Sequence, residues 1–196
     1  MAKRKRLLPL MIIPCLLLSA CASFRKNVDV DQTGITEFYK ALESAQMQVG
    51  VSADFPERIS KYRVAYSYKK NDTSTLTILE PKSVADIQIA IAQGQTELQF
   101  GGARLETGTL DESGLTPLSA LPCLMKAWSQ GDVSEAEAVS RDGTKALLLI
   151  YRNQVEEQEI EYRTWFDRST YHPIYAEVLT DGKCVIRCEF ETVAKN

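Results

Sequence analysis

The sequence has little of the chemistry that most active sites need. Its 196 residues include one histidine, His172, which stands directly before Pro173. No G-x-S-x-G motif accompanies this histidine, and a second imidazole for a histidine-based zinc site is absent. We therefore interpret His172 as a structural turn residue, and we expect no enzyme, no cofactor and no bound metal.

Cysteine is also sparse, with five residues at positions 15, 21, 123, 184 and 188 and no C-x-x-C pair. No disulfide framework is visible in this spacing. Cys184 and Cys188 lie four residues apart on a predicted strand, roughly 13 Å at the strand rise, which is too far for a bond between them. We expect Cys123, Cys184 and Cys188 to be free thiols. A bond from Cys123 to one of the other two stays open, if the fold brings them together.

The apolar run from Leu7 to Leu18 is too short for the ~20 residues of a membrane-spanning helix. It follows the basic cluster at residues 3–6 and ends in Leu18-Ser19-Ala20-Cys21, which predicts a secretory signal. The last four residues resemble the lipobox of bacterial lipoproteins. This resemblance implies cleavage before Cys21, diacylglycerol on its thiol and acylation of its new amino group. An ordinary signal peptide with a chance cysteine is the alternative.

The chain is predicted to have three parts: residues 1–20 as a lipoprotein signal peptide, 21–33 as lipidated Cys21 and a flexible tether, and 34–196 as one domain. Removing the four positive charges at residues 3–6 changes the formal net charge from −3 to −7, which argues against a nucleic-acid partner. We expect attachment to the extracytoplasmic face of the cell membrane through the acyl chains. In a Gram-negative host, Ala22 in place of a retaining Asp indicates the outer membrane.

The remaining sequence is mostly of strand period. Two segments have helical spacing: one over residues 34–45, and one that contains Leu121, Met125 and Trp128 and ends before Gly131. From Met47 onward the apolar period is two, interrupted by turn pairs such as Gly101-Gly102 and Asp181-Gly182. No helix-length segment separates most strands, so an antiparallel meander is predicted rather than parallel βαβ units.

This order of elements resembles the LolA/LolB-like superfamily of periplasmic lipoprotein carriers and receptors. The likeness is closest from Trp165 to Lys183, with Asp167, Pro173, Glu177 and Asp181-Gly182, and it extends to the segment 114–121 before the second helix. The resemblance implies an α+β, mostly β domain. Its core would be a half-open antiparallel β-barrel of about ten or eleven strands, with two helices plugging the concave face.

In the carrier members of that superfamily the concave face holds acyl chains. The resemblance therefore implies a ligand cavity lined by inward apolar residues, for which the candidates are Tyr66, Ile89, Phe100, Leu121, Met125, Trp128, Leu148 and Ile186. The layout also resembles the LolA-like germination lipoproteins of Clostridia, which bind a cell-wall amidase. Two functions thus stay open: binding of lipid or lipoprotein acyl chains, and a non-enzymatic scaffold for envelope or spore-wall proteins. An open cavity would favour the first, and a helix-filled core the second.

Overall fold

The computed structural model describes residues 32–55 and 58–195. It contains two helices, α1 (Gln32–Ala41) and α2 (Ala120–Gln130). The eleven strands are β1 (Ser44–Phe55), β2 (Arg58–Lys69), β3 (Ser74–Glu80), β4 (Gln88–Ala92), β5 (Gln95–Phe100), β6 (Ala103–Thr109), β7 (Val133–Arg141), β8 (Thr144–Val155), β9 (Gln158–Asp167), β10 (Pro173–Thr180) and β11 (Lys183–Lys195). The predicted signal peptide, Cys21 and nearly all of the tether lie outside the described residues.

All eleven strands form one antiparallel sheet in the order β6-β5-β4-β3-β2-β1-β11-β10-β9-β8-β7. The first and last strands of the chain pair in the middle of the sheet, and β6 and β7 are its two edges. The sheet does not close on itself. The predicted fold class is therefore confirmed: a half-open, antiparallel, mostly β domain with two helices.

Strand register shows which side chains share a face, because residues directly opposite each other in an antiparallel pair point the same way. We call the face that packs against α1 and α2 the inner face. On β1 it carries the buried residues at positions 45, 47, 49, 51 and 53, and on β2 their partners Tyr62, Val64, Tyr66 and Tyr68. Tyr62, Tyr66 and Tyr68 therefore all face the core.

The two helices pack on the inner face through aromatic rings. The ring of Tyr39 on α1 lies 5.1 Å from that of Trp128 on α2, and both contact Phe166 of β9, at 5.6 and 5.4 Å. The indole N–H of Trp128 donates a hydrogen bond of 2.9 Å to Thr164 Oγ1, also on β9. Seven of the eleven residues of α2 are buried, so this helix is enclosed on most sides.

The structure corrects the bounds predicted for the first helix. The helix predicted over residues 34–45 begins at Gln32 and ends at Ala41, where Leu42 N–H turns back to Tyr39 O at 3.3 Å. Leu42 and Ala45 are both buried, but Ala45 already belongs to β1, so helical spacing continued by chance into the first strand.

No helix within residues 32–55 and 58–195 is long and apolar enough to cross a membrane.

The hydrogen bond between Trp128 and Thr164 gives a test of how α2 is held. Thr164→Val keeps the shape of the side chain but leaves the buried indole N–H without its acceptor, so we expect a loss of about 1–3 kcal/mol in unfolding free energy. Urea denaturation measures the loss. In a Trp128→Phe background the same change should cost far less, because no donor remains. Equal costs in both backgrounds would contradict this role of the bond.

Candidate functional site

One row of opposed apolar side chains crosses the inner face from the core to the β6 edge. Each residue lies directly opposite the next across a strand pair, and the row consists of Met47, Tyr66, Leu76, Ile89, Leu98 and Leu105. The first four are buried, Leu98 is half-buried, and Leu105 is 62% exposed. We call this set the apolar row. It joins the covered core to solvent without a polar residue in between.

The exposed end of the row is widened by Phe100. This side chain lies on the same face of β5 as Leu98, two residues further along, and it is 54% exposed. Leu98, Phe100 and Leu105 form what we call the open wing. Exposed apolar side chains that adjoin one another, rather than lying singly, are typical of a binding surface.

Beneath the helices the inner face is filled by side chains. Six of the eight predicted lining residues are buried in one core cluster, three on strands and three on α2: Tyr66, Ile89, Ile186, Leu121, Met125 and Trp128. The structure brings these six together as a packed core, with Tyr66 and Ile89 also belonging to the apolar row. Phe100 is on the predicted face but is not covered by a helix.

Leu148, the eighth candidate, is on the other face of the sheet. Its neighbours Leu147 and Leu149 belong to the buried inner cluster, while Leu148 is half-buried opposite Trp165. The predicted face was wrong because β8 is apolar at every position from Ala146 to Tyr151. Its sequence therefore has no apolar–polar alternation to show which side chains point inward. On this outer side the guanidinium of Arg141 covers Trp165 and Tyr175, at 5.2 and 3.7 Å from the ring centroids.

The loop between β6 and α2 is organised by one carboxylate. Asp111 Oδ1 accepts hydrogen bonds from Ser113 N (2.9 Å) and Ser113 Oγ (2.6 Å), and Oδ2 accepts one from Ser119 Oγ at 2.9 Å. Burial alone would raise the pKa of Asp111, but the bonds from Ser113 and Ser119 outweigh it and hold that pKa below its ordinary value. Because Ser119 immediately precedes α2, Asp111 fixes the start of this helix.

Gly114 lets the same loop approach the sheet. Its φ is +68°, and a Cβ there would stand 3.0 Å from Cys123 Cβ and 3.2 Å from Tyr162 Cε1. The hydroxyl of Tyr162 donates to the neighbouring Ser113 carbonyl at 3.1 Å. Only glycine combines this backbone conformation with this close contact.

A cavity of about 350 Å³ lies beside α2, lined by Cys123, Ala127, Tyr151 and Tyr162 and rimmed by charged residues that include Lys126 and Arg152. Burial raises the pKa of the Cys123 thiol to about 12, so this group stays protonated and is a poor nucleophile. Cys123, Cys184 and Cys188 are all free, as predicted. Within the described ranges no group of three His, Cys, Asp or Glu side chains is placed to hold a metal ion.

Leu105 was not identified from the sequence, although a signal for it existed. The two-residue loop Gly101-Gly102 makes Phe100 and Ala103 opposite each other, and the same register places Leu98 opposite Leu105. Leu105 could thus have been added to the predicted lining from the turn alone.

No protein-family model matches the chain, and a comparison with curated proteins found no match. Among solved structures, an uncharacterised conserved protein from Thermus thermophilus aligns with a TM-score of 0.52 at 10% identity, over 85% of this chain and 86% of that one. A candidate outer membrane lipoprotein-sorting domain from Vibrio parahaemolyticus aligns at 0.49 (8% identity; 85% and 91% of the chains). A LolA superfamily protein from Nitrosomonas europaea aligns at 0.46 (14% identity; 84% and 93%).

Identities this low describe the fold alone. These alignments, like the half-open sheet and its two helices, describe the architecture of the domain and give no information about a ligand. The half-open antiparallel sheet with two helices is the architecture that the resemblance to the LolA/LolB-like superfamily implied.

Asp111 should make the stability of the loop depend on pH. Its folded pKa is lowered, so its contribution is complete above the unfolded pKa, near 4, and is lost as pH falls through the folded pKa. At pH 7 we expect Asp111→Ala to lower the melting temperature by roughly 2 to 6 °C. The difference from the unchanged protein should shrink below about pH 4. Glu112→Ala, at the exposed neighbouring residue, is the control. If Asp111→Ala lowered the melting temperature equally at pH 3 and pH 7, this would contradict the assignment.

Proposed function

We propose that this chain is an extracytoplasmic lipoprotein that binds a hydrophobic ligand, a lipid or the acyl chains of a lipoprotein, on the inner face of its half-open barrel. The apolar row is the observation that carries the proposal. It offers an uninterrupted apolar path from the open wing to the core beneath α1 and α2.

The chemistry of this path suits an uncharged chain. The exposed end of the row, from Leu98 to Leu105, spans one strand spacing, about 5 Å, and each methylene of a ligand buried against it would contribute about 0.8 kcal/mol. No ionisable carboxylate or amine belongs to the row, so a charged headgroup would remain outside it, at the edge of the sheet. The proposal is one of binding, and the buried Cys123 and Cys188 thiols, whose pKa values are raised to about 12 by burial, are poor nucleophiles.

We further propose that Cys21 anchors the domain to the extracytoplasmic face of a membrane, and to the outer membrane in a Gram-negative host. The residues between Cys21 and α1 would give the domain a reach of roughly 20 Å if they behave as a coil. A lipid anchor would hold the open wing close to the lipids or lipoproteins that supply its ligand.

The scaffold alternative is not favoured. The part of the inner face under the helices is filled, as a scaffold would allow, but the apolar row continues past the helices into solvent. A row that leads into the core serves a narrow chain-like ligand better than the surface of a folded partner protein.

Phe100 provides the direct test of the open wing. We expect the chain from Ala22 onward, exported through a cleavable signal, to bind the fluorescent fatty acid 11-(dansylamino)undecanoic acid with a blue shift in emission. Phe100→Ser should weaken that binding roughly 10-fold, because it removes one large apolar side chain from the contact.

Ile59→Ser is the matched control for Phe100→Ser. Ile59 is similarly exposed, at 63%, but lies at the tip of the β1–β2 hairpin opposite Asp54, away from the row. Its removal should leave the dissociation constant unchanged. Absence of binding in the unchanged protein, or equal effects of the two substitutions, would overturn the proposed function.

Lipidation of Cys21 has its own test. Cells expressing the full chain should incorporate radiolabelled palmitate into it, and Cys21→Ser should abolish the label and leave the signal uncleaved. Cys15→Ser, within the predicted signal, should retain the palmitate label and the cleavage of the signal. Label that persists in the Cys21→Ser variant would exclude this residue as the anchor.

A further inference from the structure

The edge strand β6 is unprotected along its whole length. All seven of its residues are exposed, and its outer side has no neighbouring strand among the described residues. Unpaired edges of this kind present backbone N–H and C=O groups that can pair with another strand. The strand is regular from Ala103 to Glu106, with a bulge only at Thr107.

The hairpin fixes which backbone groups face the open side. Phe100 and Ala103 close a two-residue loop, so they form a hydrogen-bonded pair, and the alternation makes Leu98 and Leu105 the next such pair. The backbone groups of Arg104 and Glu106 therefore point away from β5. These two residues are the ones free to pair with a second strand.

We propose that β6 pairs antiparallel with β6 of a second copy of this chain, about a two-fold axis at Leu105. In this register Arg104 of each copy lies opposite Glu106 of the other, at the two positions whose backbone groups face outward. Two-fold symmetry thus gives two hydrogen-bonded pairs and two pairs of opposite charge from a single contact.

Within one copy, the charges around Glu106 are not balanced. Glu106 lies directly opposite Glu97 on the β5–β6 hairpin, and like charges so placed repel. Arg104 is 3.7 Å from Glu97, whereas Glu106 has no ion pair among the described residues. Arg104 of the second copy would supply the missing cation.

The apolar row also fits this arrangement. Leu105, 62% exposed, would meet Leu105 of the second copy on the inner face, and the two rows would form one continuous track. The opposite edge is different: β7 carries Glu135 and Glu137 on one face, and the same pairing about Ala136 would set these acids against each other. The inference goes beyond the proposed function, since pairing at β6 needs no ligand.

A cysteine on the two-fold axis tests the register. Leu105 and its symmetry mate form a non-hydrogen-bonded pair with Cα atoms about 4.5 Å apart, within disulfide range. The full-length Leu105→Cys protein, oxidised with diamide in intact cells, should give a disulfide-linked dimer on a non-reducing gel. Ala103→Cys should not, because position 103 lies opposite 107. The unchanged protein gives the background from its own cysteines.

Exchanging the charges at positions 104 and 106 tests whether the partner is a second copy of this chain. In the Leu105→Cys background, Arg104→Glu should reduce the cross-linked fraction at least 5-fold by placing four acids at the contact. Adding Glu106→Arg should restore at least half of it. No dimer from Leu105→Cys, a dimer insensitive to Arg104→Glu, or equal cross-linking at position 103 would each overturn the proposal. Fatty-acid binding by the Arg104→Glu protein with Leu105 retained separates this outcome from that of the proposed function.

Discussion

The width of the sheet is the constraint on which the rest of the structure depends. Ten strand spacings of about 4.8 Å span roughly 48 Å, whereas helices of ten and eleven residues are only about 15 and 17 Å long. Two such helices cannot cover the whole inner face. Contacts among Tyr39, Trp128 and Phe166 hold them against β9, on the β7 side of the sheet, and the β5–β6 hairpin near the opposite edge is left with its apolar side in solvent.

The ionisable groups buried beneath the helices stay neutral. Burial raises the pKa of the Cys123 and Cys188 thiols to about 12, and it raises the pKa values of Tyr66 and Tyr151 as well. Charges are concentrated on the opposite face and the rim, where Arg152 binds Glu135 and Glu161, both at 2.8 Å. The molecule thus separates an apolar inner surface from a polar outer one, and the open wing is where the inner surface reaches solvent.

Much of this architecture could be predicted from the sequence. Turn pairs such as Gly101-Gly102 and Asp181-Gly182, with a period of two in most strands, were sufficient to predict an antiparallel sheet of about ten or eleven strands, and the structure has eleven. The phase of β8 could not be read from its own residues, because both of its faces are apolar, and so Leu148 was placed on the wrong face. The end of α1 was misplaced because Leu42 and Ala45 are buried whether or not they are helical.

The candidate site was predictable only in part, for a related reason. Periodicity identifies the face on which Phe100 lies but not whether a helix covers it, since coverage depends on where α1 and α2 dock. Helix docking is set by contacts between distant residues, such as Trp128 with Thr164. The exposed wing therefore becomes visible only in three dimensions.

The central claim is that a hydrophobic ligand lies along the apolar row and enters at the open wing. A fatty acid carrying a photoreactive diazirine at its chain end would test it most directly, with the labelled residues identified by peptide mass spectrometry after irradiation. The account predicts label within β4 to β6, on residues 88–109. Label confined to the β1–β2 hairpin tip or to the outer face, with none on these residues, would contradict it.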